Sequence, residues 1–163
     1  MGSTSYAVAL GSNRWSALGA PLVTIRAAAE AIGADQLSAI RSTRAMGPAG
    51  RGFANAVGIV RSEFDPPSLL RTLKRTEIEF GRRPGRRWGP RVLDLDIILW
   101  SGGMCSGAGL AIPHPQFRIR RFVLEPLVEL VPHWRDPLTG LTVRQLLARL
   151  KRARPVDPHD PAS

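Results

Sequence analysis

VLDLDIILW, residues 92–100, holds seven apolar residues and two aspartates. A short aliphatic run bounded by loop signals reads as a β-strand, and its apolarity predicts a place in the interior of a sheet. Alternate side chains of a strand share a face. Leu93, Leu95 and Ile97 therefore point one way, and Asp94 and Asp96 point the other, about 7 Å apart along the backbone. Two ionised carboxylates at that spacing repel, and burying either without a partner is costly.

The neighbouring sequence bears on how that cost is met. RRPGRRWGPR (82–91) carries five arginines in ten positions and no acid. Its two prolines and two glycines mark it as a loop. The aspartates could pair with these arginines and merely hold the loop. They could instead bind a hard divalent cation such as magnesium, which accepts one or two carboxylates and completes its shell with water and substrate phosphates. The second reading also gives the arginines a task, because guanidinium groups clamp phosphate oxygens in pairs. Together these parts make up what phosphoryl transfer requires: positioning and charge stabilisation more than covalent chemistry. No Walker A sequence occurs, and ALGSN (9–13) lacks the lysine and second glycine of a phosphate cradle.

Further out, YAVAL (6–10) reads as a buried strand ended by Gly-Ser-Asn. A helix follows over 21–32, with Leu22, Ile25, Ala29 and Ile32 on one stripe and Gly33 as its stop. QLSAIRST (36–43) reads as a strand, 46–52 as a loop, and 53–62 as a third strand. Asp65-Pro66-Pro67 opens a helix that carries Leu69, Leu70, Leu73 and Phe80 and closes at Gly81. Residues 101–109 read as a turn or mobile connection. RRFVLEPLVEL (120–130) reads as partly helical, cut by Pro126, and 141–150 as an amphipathic helix. The order is β-α-β-β-α-β, which predicts an α+β ferredoxin-like sheet with helices on one face and an added C-terminal helical part. One domain is expected over 1–150, followed by a disordered tail over 151–163.

The chain has 163 residues, enough to bury roughly 70% of its unfolded surface without staples, and its single Cys105 allows neither a disulfide framework nor a zinc site. No apolar run approaches the ~20 residues of a membrane span. The N-terminus has no signal-like pattern, so a cytoplasmic protein with no membrane partner is expected. The net charge of +10 favours an anionic partner.

YAVALGSN, FANAV (53–57), RWGPRVLDLDIILW (87–100) and IPHPQFRIRRFVLEPL (112–127) occur in an order that resembles the 6-hydroxymethyl-7,8-dihydropterin pyrophosphokinase family, from Tyr6 to about Leu150. Of these, RWGPR-x-LDLDI is the specific motif. The resemblance implies transfer of diphosphate from ATP to the hydroxymethyl group of the pterin, releasing AMP, in folate biosynthesis. It implies that Asp94 and Asp96 hold two Mg2+ ions against the ATP phosphates. Arg82 (or Arg83 beside it) and Arg91 would grip the triphosphate, and Trp88 would help close the site. Lys74, His114 and Arg120 fall with Trp88 on the ATP side. Phe53 and Phe122 would sandwich the pterin, Asn55 would bond its edge, and Glu77 would be a helix acid on the substrate side. Physical sense supports the sandwich: a flat bicycle suits two aromatic faces, and an amide can donate and accept together.

The resemblance further implies small-molecule partners, ATP and the pterin, and a monomer is expected. The alternative is a nucleic-acid-binding α+β module, which the fold and the charge would suit. Against it, RGFANAV (51–57) has no second aromatic two residues after Phe53, and the acidic pair would repel a phosphate backbone. Trp15 and Trp134 match no motif and are expected to pack.

Overall fold

Asp65 caps its helix as its position suggests: the carboxylate accepts the Ser68 N–H at 2.9 Å, one of the donors a helix start leaves without a partner. In the computed structural model, which describes residues 2–44, 52–81 and 92–152, that helix is α2 (Pro66–Glu79). The first helix, α1 (Pro21–Ala31), also starts on a proline. Gly33 and Gly81, just past the two helices, have φ of 70° and 106°, a left-handed turn in which a side chain would be strained.

The main strands are β1 (Thr4–Ser12), β2 (Ala34–Leu37), β3 (Arg41–Arg44), β4 (Gly52–Ser62) and β5 (Asp94–Trp100). They form one antiparallel sheet in the order β2-β4-β1-β5, with β3 also paired to β4. This is the ferredoxin-like α+β arrangement expected. The strand expected over 36–43 is interrupted. At the break the Ser38 hydroxyl accepts the Val57 N–H at 3.0 Å while Ser38 N–H donates to Val57 O at 2.9 Å. Ala39 N–H turns instead to the Glu129 carboxylate at 2.9 Å.

Two apolar layers sandwich the sheet. Tyr6, Val8, Leu10, Leu95 and Ile97 pack with Ile25 of α1 and Leu69 and Leu73 of α2. On the other face, Ala7, Val57, Ile59, Ile98 and Leu99 meet the C-terminal helices α3 (Arg121–Leu130) and α4 (Val143–Arg152). The added helical part thus covers the second face. α4 runs past the expected Leu150 to Arg152, and residues 153–163 of the expected tail lie outside the described residues. Pro126 does not cut α3. A helical proline forfeits one backbone bond and costs about 3 kcal/mol. Val123, Leu124, Pro126 and Leu127 are all buried here, and each large apolar side chain returns about 1.5–3 kcal/mol.

Strand β5 departs from expectation in its place. It is an edge strand, bonded to β1 alone among the main strands. It is apolar because both of its faces are covered, not because it is central. Its outer rim is met by the chain after a short hairpin, β6 (Cys105–Gly107) with β7 (Leu110–Ile112), where a turn or mobile connection was expected. From there His114 N–H donates to Ile98 O at 2.9 Å. Opposite β1 the strand bulges: Val8 faces Ile97 and Ala7 faces Leu99, so Ile98 is an extra residue. Trp100 then stacks on Tyr6, with ring centroids 6.1 Å apart, and its Nε1 donates to Thr4 at 2.9 Å.

Candidate active site

Alternation along β1 sets up the site. Tyr6, Val8 and Leu10 face the α1–α2 layer, leaving Ala7, Ala9 and Gly11 on the opposite face. Gly11 lies opposite Asn55 on one side and Asp94 on the other, and Ala9 lies opposite Val57 and Asp96. The small residues of β1 therefore form a floor between an amide and two carboxylates. Helices α3 and α4 cover the Ala7 end of this face. At the Gly11 end the sheet opens into a cavity of about 380 Å³ lined by Asn55, Asp94, Asp96, Arg120 and Phe122 among others. A second cavity of about 140 Å³ shares Gly11, Asn55 and Asp94 with the first and adds Ser12, Asn13 and Phe53. A Cβ built on Gly11 would stand 3.3 Å from Asn55 Oδ1, so glycine keeps this junction open.

Asp96 is electrostatically strained in the direction a cation relieves. Burial pushes the Asp96 carboxyl above the ordinary carboxylate range, and the charge of Asp94 pushes it further; His114, Lys74 and Arg120 act the other way. His114 is held below the usual imidazole range, chiefly by burial and also by Arg120, against the pull of Asp96 and Asp94. Its Nδ1 accepts the Gln116 N–H at 3.2 Å. Arg120 bonds Gln116 Oε1, and its guanidinium carbon stands 5.7 Å from the centre of the Phe122 ring.

The structure brings Phe53, Asn55, Asp94, Asp96, Arg120 and Phe122 to the two cavities, with His114 beside the acidic pair. Phe53 and Phe122 are 42% and 50% exposed, a large opening for residues of their size and consistent with side chains that border a ligand rather than fill a core. Lys74 and Glu77 sit together on α2, joined by a 2.8 Å ion pair. Glu77 is wholly buried, and the charge of its partner Lys74 is felt at Asp96. Arg82, Trp88 and Arg91 lie outside the described residues. Trp15 does not pack as expected: it is 67% exposed, just before a turn that closes on itself through Ser16 and Gly19. Trp134 does pack, against the α3–α4 layer. Sequence reasoning missed Ala9 and Gly11 as site residues. The signal was present in the small residues at alternate positions of β1, but it shows only once the register places them between Asn55 and Asp94.

The family model for 7,8-dihydro-6-hydroxymethylpterin-pyrophosphokinase (HPPK) matches residues 7–132, a span containing all of the candidate site residues from Phe53 to Phe122. The chain belongs to that family. Among HPPK relatives, the 2-amino-4-hydroxy-6-hydroxymethyldihydropteridine pyrophosphokinase of Haemophilus influenzae is 38% identical over 136 residues, which cover 78% of this chain and 81% of the relative. The enzyme of the same name from Synechocystis sp. is 44% identical over 108 residues, covering 66% of this chain and 55% of the relative. The chain thus spans about half the length of that relative. Among solved structures, the HPPK-DHPS of Plasmodium falciparum with pteroate superposes with a TM-score of 0.66 at 13% identity, over 90% of this chain and 42% of that one. At that identity the likeness speaks for the HPPK fold alone.

Proposed function

We propose that the chain is a magnesium-dependent pyrophosphokinase of a single domain that transfers diphosphate from ATP to the hydroxymethyl group of 6-hydroxymethyl-7,8-dihydropterin. The observation that carries this reading is the pairing of Asp94 and Asp96 on one wall of a cavity whose other walls include Asn55, Arg120 and Phe122, in a chain of this family. The relatives' names state the pyrophosphokinase activity of those proteins; the site supports the same chemistry here.

The donor set fits magnesium. Among the described residues no group of three or more His, Cys, Asp or Glu side chains gathers as a complete protein cage, and magnesium asks for less, taking one or two carboxylates with substrate phosphates and water. Asp94 and Asp96 would hold two ions, which when bound neutralise charge between the phosphates. The chain's own residues do the rest. Phe53 and Phe122 hold the flat pterin by its faces, and Asn55 holds its edge. Arg120 and His114 meet the nucleotide, Arg120 as a fixed positive charge. Lys74 adds charge behind Asp96, and Glu77 holds Lys74 in place. Arg82, Trp88 and Arg91 are assigned to the triphosphate side on the strength of the RWGPR-x-LDLDI motif. The pterin alcohol oxygen bonds to the β-phosphorus, the bond from that phosphorus to the oxygen of the α-phosphate breaks, and AMP leaves with the electron pair. The alcohol proton passes to a phosphate oxygen or water, since a loose transition state needs little prior deprotonation. Binding the two substrates face to face supplies the orientation.

The same proposal places the protein in the cytoplasm as a monomer acting on small molecules; among the described residues no helix is long and apolar enough to cross a membrane. A nucleic-acid-binding module is not favoured, because the open face of the sheet presents Asp94 and Asp96 where a phosphate backbone would lie. Incubation with ATP, magnesium and the hydroxymethyl pterin should yield AMP and the pterin diphosphate. No AMP, with salt-dependent binding of single strands instead, would overturn the reading.

A further inference from the structure

We propose that Arg118 and Asp136 form a positioning pair for the nucleotide side of the site, setting the places of His114 and Arg120 without touching substrate. The inference rests on the function proposed above and extends it to two residues with no part in the cavity walls.

Asp136 is wholly buried, yet it gathers four donors. Arg118 gives Nε to Oδ2 at 2.6 Å and Nη2 to Oδ1 at 2.7 Å. Thr139 Oγ1 donates at 2.7 Å and Leu138 N–H at 3.1 Å. Burial alone would raise this carboxyl; the Arg118, Thr139 and Leu138 hydrogen bonds outweigh it and hold it below the ordinary range. The loop carrying Asp136 is closed on itself by Asp136 N–H to Leu141 O and Gly140 N–H to Asp136 O, both at 2.8 Å. Asp136 is thus a rigid post, and among the described residues only Arg118 bonds it from a distant part of the chain.

What that post holds is the short 3₁₀ turn Phe117–Ile119, of which Arg118 is the middle residue. Phe117 is buried, with the Arg118 guanidinium carbon 4.8 Å from its ring centre. His114 precedes the turn and Arg120 follows it. The first is tied to β5 by its N–H on Ile98 O, two residues from Asp96. The carbonyl of the second receives the Val123 and Leu124 N–H groups at 3.0 Å and so starts α3. Segment 114–120 therefore has one anchor at the acidic strand, one at the helix, and the Arg118–Asp136 fork between them.

A buried ion pair is a poor way to gain stability, since apolar residues of similar size often do as well. It is a good way to fix a geometry, because two parallel guanidinium bonds set both distance and plane. Of the three arginines in RIRR (118–121), Arg121 bonds Glu125 on its own helix and Arg118 is committed to Asp136. Arg120, held by Gln116, is the one that lines the cavity.

Steady-state kinetics, calorimetric binding of Mg–ATP and thermal melting on Arg118→Lys, Arg118→Met and the charge-neutral pair Arg118→Met/Asp136→Asn test this. Arg118→Met should raise KM and Kd for ATP about ten- to a hundredfold, the range seen when a supporting residue is lost or a binding group is displaced by an ångström. KM for the pterin should stay within about twofold. Arg118→Lys, keeping the charge but not the fork, should fall between. The neutral pair should recover melting temperature relative to Arg118→Met but not ATP affinity, which a merely structural role would restore together. Tyr6→Phe, which removes the remote bond to Phe64 O, should lower the melting temperature with no change in KM. Wild-type ATP affinity in a folded neutral pair overturns the inference; if that variant does not fold, unchanged ATP affinity in Arg118→Lys does so. Wild-type protein that forms no AMP overturns the function reading instead, and is distinguishable because it appears before any substitution is made.

Discussion

Gly11→Ala separates the site from its scaffold, because the two effects of the change have opposite signs. Gly11 is a strand residue whose φ lies outside the left-handed region, so alanine is tolerated by the backbone and reduces the freedom of the unfolded chain. Stability should rise or hold, by up to about 0.5–1 kcal/mol. In the site the new methyl stands 3.3 Å from Asn55 Oδ1, tight enough to push the amide by a few tenths of an ångström. It also projects where the two cavities join. A methyl is close in size to a water molecule, whose share of liquid volume is ~30 Å³, and so takes roughly a fifth of the 140 Å³ cavity. If two of the hydrogen bonds that Asn55 makes to ligand are lost, at about 0.5–1.5 kcal/mol each, affinity falls by about 1–3 kcal/mol. That is a factor of roughly 5 to 150 in Kd or KM for the pterin. Thermal melting beside steady-state kinetics reads both numbers. A folded variant with wild-type pterin KM would show that the junction at Gly11 is not where substrate lies.

Asp96→Asn should abolish AMP formation while leaving the melting temperature unchanged or higher, since it removes the repulsion from Asp94; retained turnover would sink the assignment of this residue to the metal. Phe53→Ala and Phe122→Ala should each weaken pterin binding by about tenfold or more, with little loss of stability because both rings are half exposed. A large drop in melting temperature would instead mark them as core. The pH dependence of stability should carry the signature of Asp136. Its folded carboxyl is depressed, so its contribution is fully present above the unfolded value of about 3.9 and is lost as pH falls from there through the lower folded value. Asp136→Asn should flatten that acid limb in a circular-dichroism titration, and an unchanged limb would refute the linkage.

Where a local cause determined the outcome, the chain was legible in advance. The Asp65 cap with two prolines located α2, and the helix stops at Gly33 and Gly81 needed only the freedom of glycine. The face shared by Asp94 and Asp96, and that shared by Phe53 and Asn55, followed from strand alternation. Features decided by partners far along the chain were not legible. The break at Ser38 depends on Val57 and Glu129; the position of β5 at the rim depends on what covers it; Pro126 survives in its helix because of what that helix buries. Gly11 and Ala9 entered the site only through register, and Arg118 could be told from Arg120 and Arg121 only by the buried acid 18 residues further on.

The extra residue at Ile98 acts as a phase shift along β5. Under strict alternation from Asp94, position 99 would join Leu95 and Ile97, and position 100 would turn toward Phe117. The bulge inverts the count, so Leu99 follows Ile98 onto the α3 side and Trp100 returns to Tyr6. The charged half of the strand and its aromatic end are thereby decoupled, each keeping its own parity. Deleting Ile98 would remove the bulge yet leave the acids in place and the indole on Tyr6, because Val8–Ile97, Ala7–Leu99 and Tyr6–Trp100 would then pair without a break, and near-ultraviolet circular dichroism would keep the stacking signal.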